Sequence, residues 1–298
     1  QSIALGNGDA FRFTTSTQPQ ATLVAGANLN ALTVTVQDEW GNLVDDQTVN
    51  ITPSLIDSTS GAAVTSSSKT TRSVSAGTYT FSAANSNALT WNAAGSFKIV
   101  YSSTSLPSAN QSISTNAFNI VAASPAKLVW QTQPSTSVVN RKVFANTPKL
   151  VVRDAFDNDV VSDNSTVATV AVNATGTGAV TSGASVGLTA TAVNGVISFD
   201  KLAPAAKAAT GYNLTASSGS LTAPGASTSF EITYGSASAI TVSPTSLSAQ
   251  AGVAFGSATT IKVVDADGNL VNVGSISATA SAASPAVLTG LSAGASTL

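Results

Sequence analysis

Val34-Thr35-Val36-Gln37-Asp38-Glu39-Trp40-Gly41-Asn42-Leu43-Val44 is a stretch that this chain writes three times. It returns as Val151-Val152-Arg153-Asp154-Ala155-Phe156-Asp157-Asn158-Asp159-Val160-Val161. It returns again as Lys262-Val263-Val264-Asp265-Ala266-Asp267-Gly268-Asn269-Leu270-Val271. In each copy an apolar run of strand character ends at an Asp, two or three turn-forming residues follow, and apolar residues resume. Asp and Asn bond backbone groups just ahead of them, and Gly or Asn accepts the positive φ of a tight turn. The stretch therefore predicts strand, hairpin turn and strand, and its recurrence predicts tandem domains.

The motif Asp residues lie 116 and then 111 positions apart. That period is far too long for a solenoid and has the size of an immunoglobulin-like β-sandwich. The flanking residues repeat as well. Phe11 and Phe13 before Pro19 match Leu128 and Trp130 before Pro134, each pair alternating as a half-buried strand does. Leu32, Val34 and Val36 point to the core, followed by Val49 and Ile51. Gly77-Thr78-Tyr79-Thr80-Phe81 parallels Gly195-Val196-Ile197-Ser198-Phe199. Phe97, Ile99 and Tyr101, then Phe118 and Ile120, supply further alternating strands, and Phe230, Ile232 and Tyr234 close the second copy. The Ser/Thr/Gly-rich stretch from Ser54 to Ser75 predicts a long loop or weak edge strand.

The expected fold is all-β, tandem immunoglobulin-like sandwiches at residues 1–122, 123–235 and 236–298. Ala122-Ala123-Ser124-Pro125 and Gly235-Ser236-Ala237 are the junctions, too short for free reorientation. The third copy carries Pro244 and the Asp265 motif but stops about 60 residues in. It is expected to be a fragment or to be completed by another subunit, because a half-sandwich leaves sheet edges unpaired.

Only 9% of residues are charged, the net charge is −2, and Cys, His and Met are all absent. Without Cys there is no disulfide framework or thiolate, and without His the usual general base and metal ligand are missing. The lack of a basic run argues against nucleic acid, and the lack of a long apolar run argues against a membrane span.

The repeats resemble the bacterial immunoglobulin-like domains of invasin- and intimin-type surface proteins and of many S-layer and cell-wall proteins. The resemblance rests on V-x-V-x-D-x-x-G-N-x-V, met by Val34, Val36, Asp38, Gly41, Asn42 and Val44. In the third copy Val264, Asp265, Gly268, Asn269 and Val271 meet it, with Lys262 displacing the first Val. The second copy departs, with Asp157 where Gly is expected. The resemblance implies an extracellular, non-catalytic module of a cell surface. On that reading the chain self-associates into an S-layer lattice or filament. The alternative is the stalk or glycan-binding module of an adhesin.

Asp154, Asp157, Asp159 and Asp163 lie within ten positions and form the candidate metal group, with Ca²⁺ the ion that hard oxygen ligands would take. The competing reading is a solvated turn whose Asp caps N–H groups. Asp265-Ala266-Asp267-Gly268-Asn269 looks like the opening of an EF-hand, but the twelfth position is Ile276 rather than Glu. Trp40 and Phe156 are candidate interface residues at the turn tip, or else cover their own domain end or the neighbouring domain. Trp130 is assigned to the core. Asn50, Asn110, Asn164, Asn173 and Asn213 stand in glycosylation sequons, about as many as this composition produces by chance. Lys98, Lys149 and Glu231 are candidates for an isopeptide cross-link, and plain solvent-facing charges explain them as well. No arrangement of acids, Ser or Gly-rich loop points to catalysis.

Overall fold

The structure is a computed structural model that describes residues 6–64, 69–175, 178–180, 185–245, 253, 259–273 and 276. By their contacts the residues divide into two compact units, Gln1–Ala126 with Arg153–Val160, and Lys127–Val152 with Val161–Leu298.

The strands of the first repeat are β1 Arg12–Thr15, β2 Thr22–Val24, β3 Leu32–Gln37, β4 Val49–Asp57, β5 Arg72–Val74, β6 Thr78–Phe81, β7 Gly95–Ser102, β8 Ser112–Ser114 and β9 Phe118–Val121. They form two sheets, β1-β3-β6 and β2-β9-β7-β4-β5, with β8 also on β7. Pro19 explains the first crossing: it cannot donate to a ladder. The chain leaves β3 and changes sheet there, so that β2 runs parallel to β9. That split first strand, with β2 on the far sheet, is the immunoglobulin-like arrangement.

The second repeat copies it with β10 Lys127–Thr132, β11 Ser137–Val139, β12 Lys149–Arg153, β13 Val167–Ala174, β14 Thr189–Thr191, β15 Val196–Ser198, β16 Ala209–Ser217 and β17 Phe230–Thr233. Its sheets are β10-β12-β15 and β11-β17-β16-β13-β14, with β11 parallel to β17 across the Pro134 break. Of the third repeat, β18 Ala239–Ser243 pairs antiparallel with β19 Thr260–Val264. The completeness of that repeat lies outside the described residues.

The alternation reads out as burial. Leu32, Val34 and Val36 are inaccessible, as are Ile51, Leu55, Ile99 and Tyr101 from the opposite sheet. Each such aliphatic side chain contributes about 1.5–3 kcal/mol by leaving water. Buried hydroxyls recur too. Thr115 accepts from the Ile99 N–H at 3.0 Å, and Ser227 accepts from the Leu214 N–H at 2.8 Å.

Three expectations change. β4 runs on through Leu55 to Asp57, where a long loop or weak edge strand was expected from Ser54, because Leu55 and Ile51 share a core-facing parity, and β5 later in that stretch is an edge strand. Trp130 is half-buried rather than core, since its indole N–H reaches out to the Gly225 carbonyl at 2.8 Å. Trp91, to which no role was given, is buried, with Lys69 Nζ 5.2 Å from its ring centre. The third change concerns the motif itself. β3 and β4 belong to different sheets, so Asp38–Val44 is a crossing loop and not a hairpin. Its ladder is a single bridge, Gln37 to Leu43, repeated as Arg153 to Asp159 and Val264 to Leu270.

Candidate functional site

Each crossing loop is built around its Asp, which is buried: Asp38 and Asp154 are 0% exposed and Asp265 is 3% exposed. One carboxylate oxygen of Asp38 accepts the backbone N–H of Trp40 (3.0 Å) and of Asn42 (2.8 Å). Its other oxygen accepts the Asn42 side-chain amide at 2.9 Å and the Gly8 N–H at 3.0 Å. Asp154 repeats all four bonds, with Phe156, Asn158, the Asn158 amide and Ala123. Asp265 does so with Asp267, Asn269, the Asn269 amide and Gly235. The fourth donor lies 30 or 31 residues upstream, in the segment that leads into the repeat. The Asp therefore ties loop and lead-in together.

The third residue after the Asp has positive φ in every copy: 92° at Gly41, 73° at Asp157 and 74° at Gly268. This accounts for Asp157, because Asp is among the side chains that tolerate the left-handed region.

The Asn extends the construction to an earlier part of the chain. Asn158 donates its amide to the Asn92 carbonyl (2.7 Å) and accepts the Ala94 N–H (2.8 Å). Asn269 does the same to the Ala206 carbonyl (3.0 Å) and the Ala208 N–H (2.7 Å). One Asn thus clamps a carbonyl and an N–H two residues apart on the end loop of the preceding repeat. We refer to the Asp, the Asn and these partners as a lock.

The second residue after the Asp decides the chemistry beside the clamp. Phe156 lies against Gly26, where an added Cβ would come within 2.5 Å of the ring. At the next lock this place is held by Asp267, which takes a two-pronged contact from Arg141 (2.7 and 2.8 Å) and a third bond from Asn140 at 2.7 Å. Lys207 Nζ also donates to the Asp267 carbonyl. Gly26 and Arg141 both have positive φ, 79° and 62°, and stand 115 residues apart. One lock is therefore apolar and the other ionic on the same backbone frame.

The acids weighed as a metal group do not converge. Both Asp154 oxygens are occupied by N–H donors, Asp159 pairs with Arg153 at 2.8 Å, and Asp163 caps Ser165 and Thr166. Among the described residues no group of three or more acids is placed to hold a metal ion. Trp40 is 76% exposed and Phe156 is 41% exposed. The sequon Asn50 accepts the Ser73 hydroxyl at 2.8 Å, and Asn164 accepts the Asn194 N–H at 2.8 Å. Asn173 and Asn213 face each other across β13 and β16, while Asn110 ends a short 3₁₀ turn. Lys149 and Glu231 lie in different sheets, and Lys98 pairs in register with Ile56. Sequence reasoning treated Asn158 and Asn269 only as turn residues and passed over Gly26 and Arg141. The 115-residue offset between the latter two was the available signal.

Burial works to raise the pKa of Asp38, but the Asn42 amide and the N–H groups of Gly8, Asn42 and Trp40 outweigh it and bring it down to about 2. Asp154 and Asp265 are held down in the same way. A carboxylate held below its unfolded value contributes stability that is complete above the unfolded pKa of about 3.9 and lost as pH falls through the folded one. Thermal melts are therefore expected to be level above about pH 5 and to drop steeply between about pH 4 and pH 2. An even decline from pH 7 downward would show that these carboxylates do not govern acid stability.

No protein-family model matches the chain, and no curated protein matches it. Among solved structures it is similar to FdeC, an Escherichia coli adhesin, at 18% identity and a TM-score of 0.39, over 91% of this chain and 79% of that one. It is also similar to the bacterial integrin-binding protein invasin, at 16% identity and a TM-score of 0.32, over 89% of this chain and 49% of that one. A β-glycosidase from Bacteroides vulgatus is matched at 10% identity and a TM-score of 0.28, over 76% of this chain and 25% of the enzyme. Likeness at this level concerns fold and leaves activity open. The chain is an all-β protein of immunoglobulin-like repeats.

Proposed function

We propose that the chain is a non-catalytic spacer of a bacterial cell-surface protein of adhesin type. In this reading tandem immunoglobulin-like repeats hold a binding part at a set distance from the cell. The observation that carries it is the lock, built twice with the same Asp and Asn bonds onto the end loop of the preceding repeat. A linker alone would leave successive repeats free to swing, and fixed hydrogen bonds to the neighbour's backbone remove that freedom. Scarcity of charge and absence of Cys, His and Met suit an exposed, long-lived part. FdeC and invasin, similar in fold, have names that belong to the same setting.

A lattice or filament subunit is the second reading. The spacer is preferred because the lock joins repeats that follow one another in a single polypeptide, which a spacer requires. Sedimentation and negative-stain electron microscopy of the purified chain are expected to show monomers at every concentration. Spontaneous sheets or fibres would overturn the spacer reading in favour of assembly.

A further inference from the structure

The first repeat carries the Asp and the Asn of the lock without, among the described residues, the outer partners that the other two have. Asp38 holds Asn42 and Gly8 as its counterparts hold theirs. Among the described residues, however, the Asn42 side-chain carbonyl accepts nothing, and Asn42 is exposed where Asn269 is buried. Beside it stands Trp40 in the sequence position of Phe156, 76% exposed, with one ring edge against its own lead-in, where a Cβ added at Gly8 would come within 2.9 Å. The lead-in at Gly8 reaches Asp38 by the bond that Ala123 and Gly235 make, so the chain arrives at this lock from the same side.

Resting on the spacer reading, we propose that Trp40 and Asn42 form a docking site for the end loop of another immunoglobulin-like repeat joined ahead of this one in the same polypeptide. The chemistry of the occupant follows from the two filled locks. Asn42 requires a backbone carbonyl and an N–H two residues apart, as Asn92 and Ala94 supply to Asn158. Trp40 occupies the place of Phe156, whose ring meets Gly26, so a left-handed glycine at that place of the arriving loop leaves room for the indole. An Arg at that place suits an acidic partner, as Arg141 suits Asp267, and would obstruct an indole. The site therefore selects a repeat built like residues 1–122 over one built like residues 123–235.

The test extends the chain by its own first repeat. Residues 1–122 are joined to residues 8–298, which puts the second Gly8 in the place of Ala123. The outer Trp40 is changed to Phe so that the inner one can be followed alone. Hydroxyl-radical footprinting with mass spectrometry then compares the inner Trp40 with Trp40 of the unextended chain. Its oxidation is expected to fall roughly twofold, as the 76% exposure of Trp40 and the 41% of docked Phe156 indicate. Gly26→Arg in the outer repeat, or Asn42→Ala in the inner one, is expected to restore full reactivity. An inner Trp40 as reactive as before would overturn the proposal. Protection of the unextended chain that grows with its concentration, or with added oligosaccharide, would also overturn it by naming a second copy or a sugar as the occupant. Phe156 in the same digest reports separately on the spacer reading. If it reacts like a free ring while the rest of its repeat stays protected, the tandem lock itself is absent.

Discussion

Asp154→Ala is expected to cost about 2–4 kcal/mol in urea unfolding, among the largest effects of any polar substitution in the chain. The carboxylate is inaccessible and accepts four N–H bonds of 2.8–2.9 Å, from Phe156, twice from Asn158 and from Ala123. Removing it leaves these donors facing an alanine methyl. Each bond to a charged group contributes about 1.5–3 kcal/mol, but rearrangement and water recover part of the sum. Two of the donors belong to Asn158, so loss of the Asp also releases the side chain that clamps Asn92 and Ala94. Amide exchange at Ala123 and Ala94 is therefore expected to accelerate together, well beyond the average for the chain. A change below about 0.5 kcal/mol, the scatter of ordinary surface substitutions, would show that the carboxylate does not organise this loop.

Gly26→Ala comes second, at about 1–3 kcal/mol. Its φ of 79° disfavours any L side chain by about 1–2 kcal/mol, and the new Cβ would meet Phe156 within 2.5 Å. The two causes separate in a double-mutant cycle. Phe156→Ala in the Gly26→Ala background removes the clash and leaves the backbone strain, so the substitutions are expected to be less than additive. A stronger version exchanges one lock chemistry for the other. Gly26→Arg alone is expected to expel Phe156, whereas Gly26→Arg with Phe156→Asp reproduces the Arg141–Asp267 pair and recovers stability. Strict additivity in both cycles would mean that positions 26 and 156 do not touch.

These two results depend on residues of very different legibility. Asp154 announced itself by recurrence, and Asp and Asn at a strand end were expected to cap nearby N–H groups, which they do. The reach of the motif was hidden. Ala123 lies 31 residues before Asp154 and Ala94 lies 64 before Asn158, and nothing in local propensity joins residues so far apart. Gly26 looked like an ordinary loop glycine. Its role depends on φ and on a ring arriving from position 156, and neither is visible in a one-dimensional pattern. The acids illustrate the converse. Asp154, Asp157, Asp159 and Asp163 cluster in sequence, but Asp157 and Asp159 both face Arg153 while Asp154 and Asp163 each take their own N–H donors, so proximity along the chain did not become a metal group among the described residues.

Alternating apolar residues, Pro19 and Pro134, and the repeat of about 115 positions determined the all-β sandwich, the break in its first strand and the tandem plan. Those features act through burial on every second residue and through a missing N–H, and both operate locally. That Asp38–Val44 crosses between sheets, and that its Asn holds the end of a neighbouring repeat in the later copies, was decided by tertiary structure alone. Such bonds depend on where the folded sheets bring distant backbone groups, and no stretch of the chain carries that information by itself.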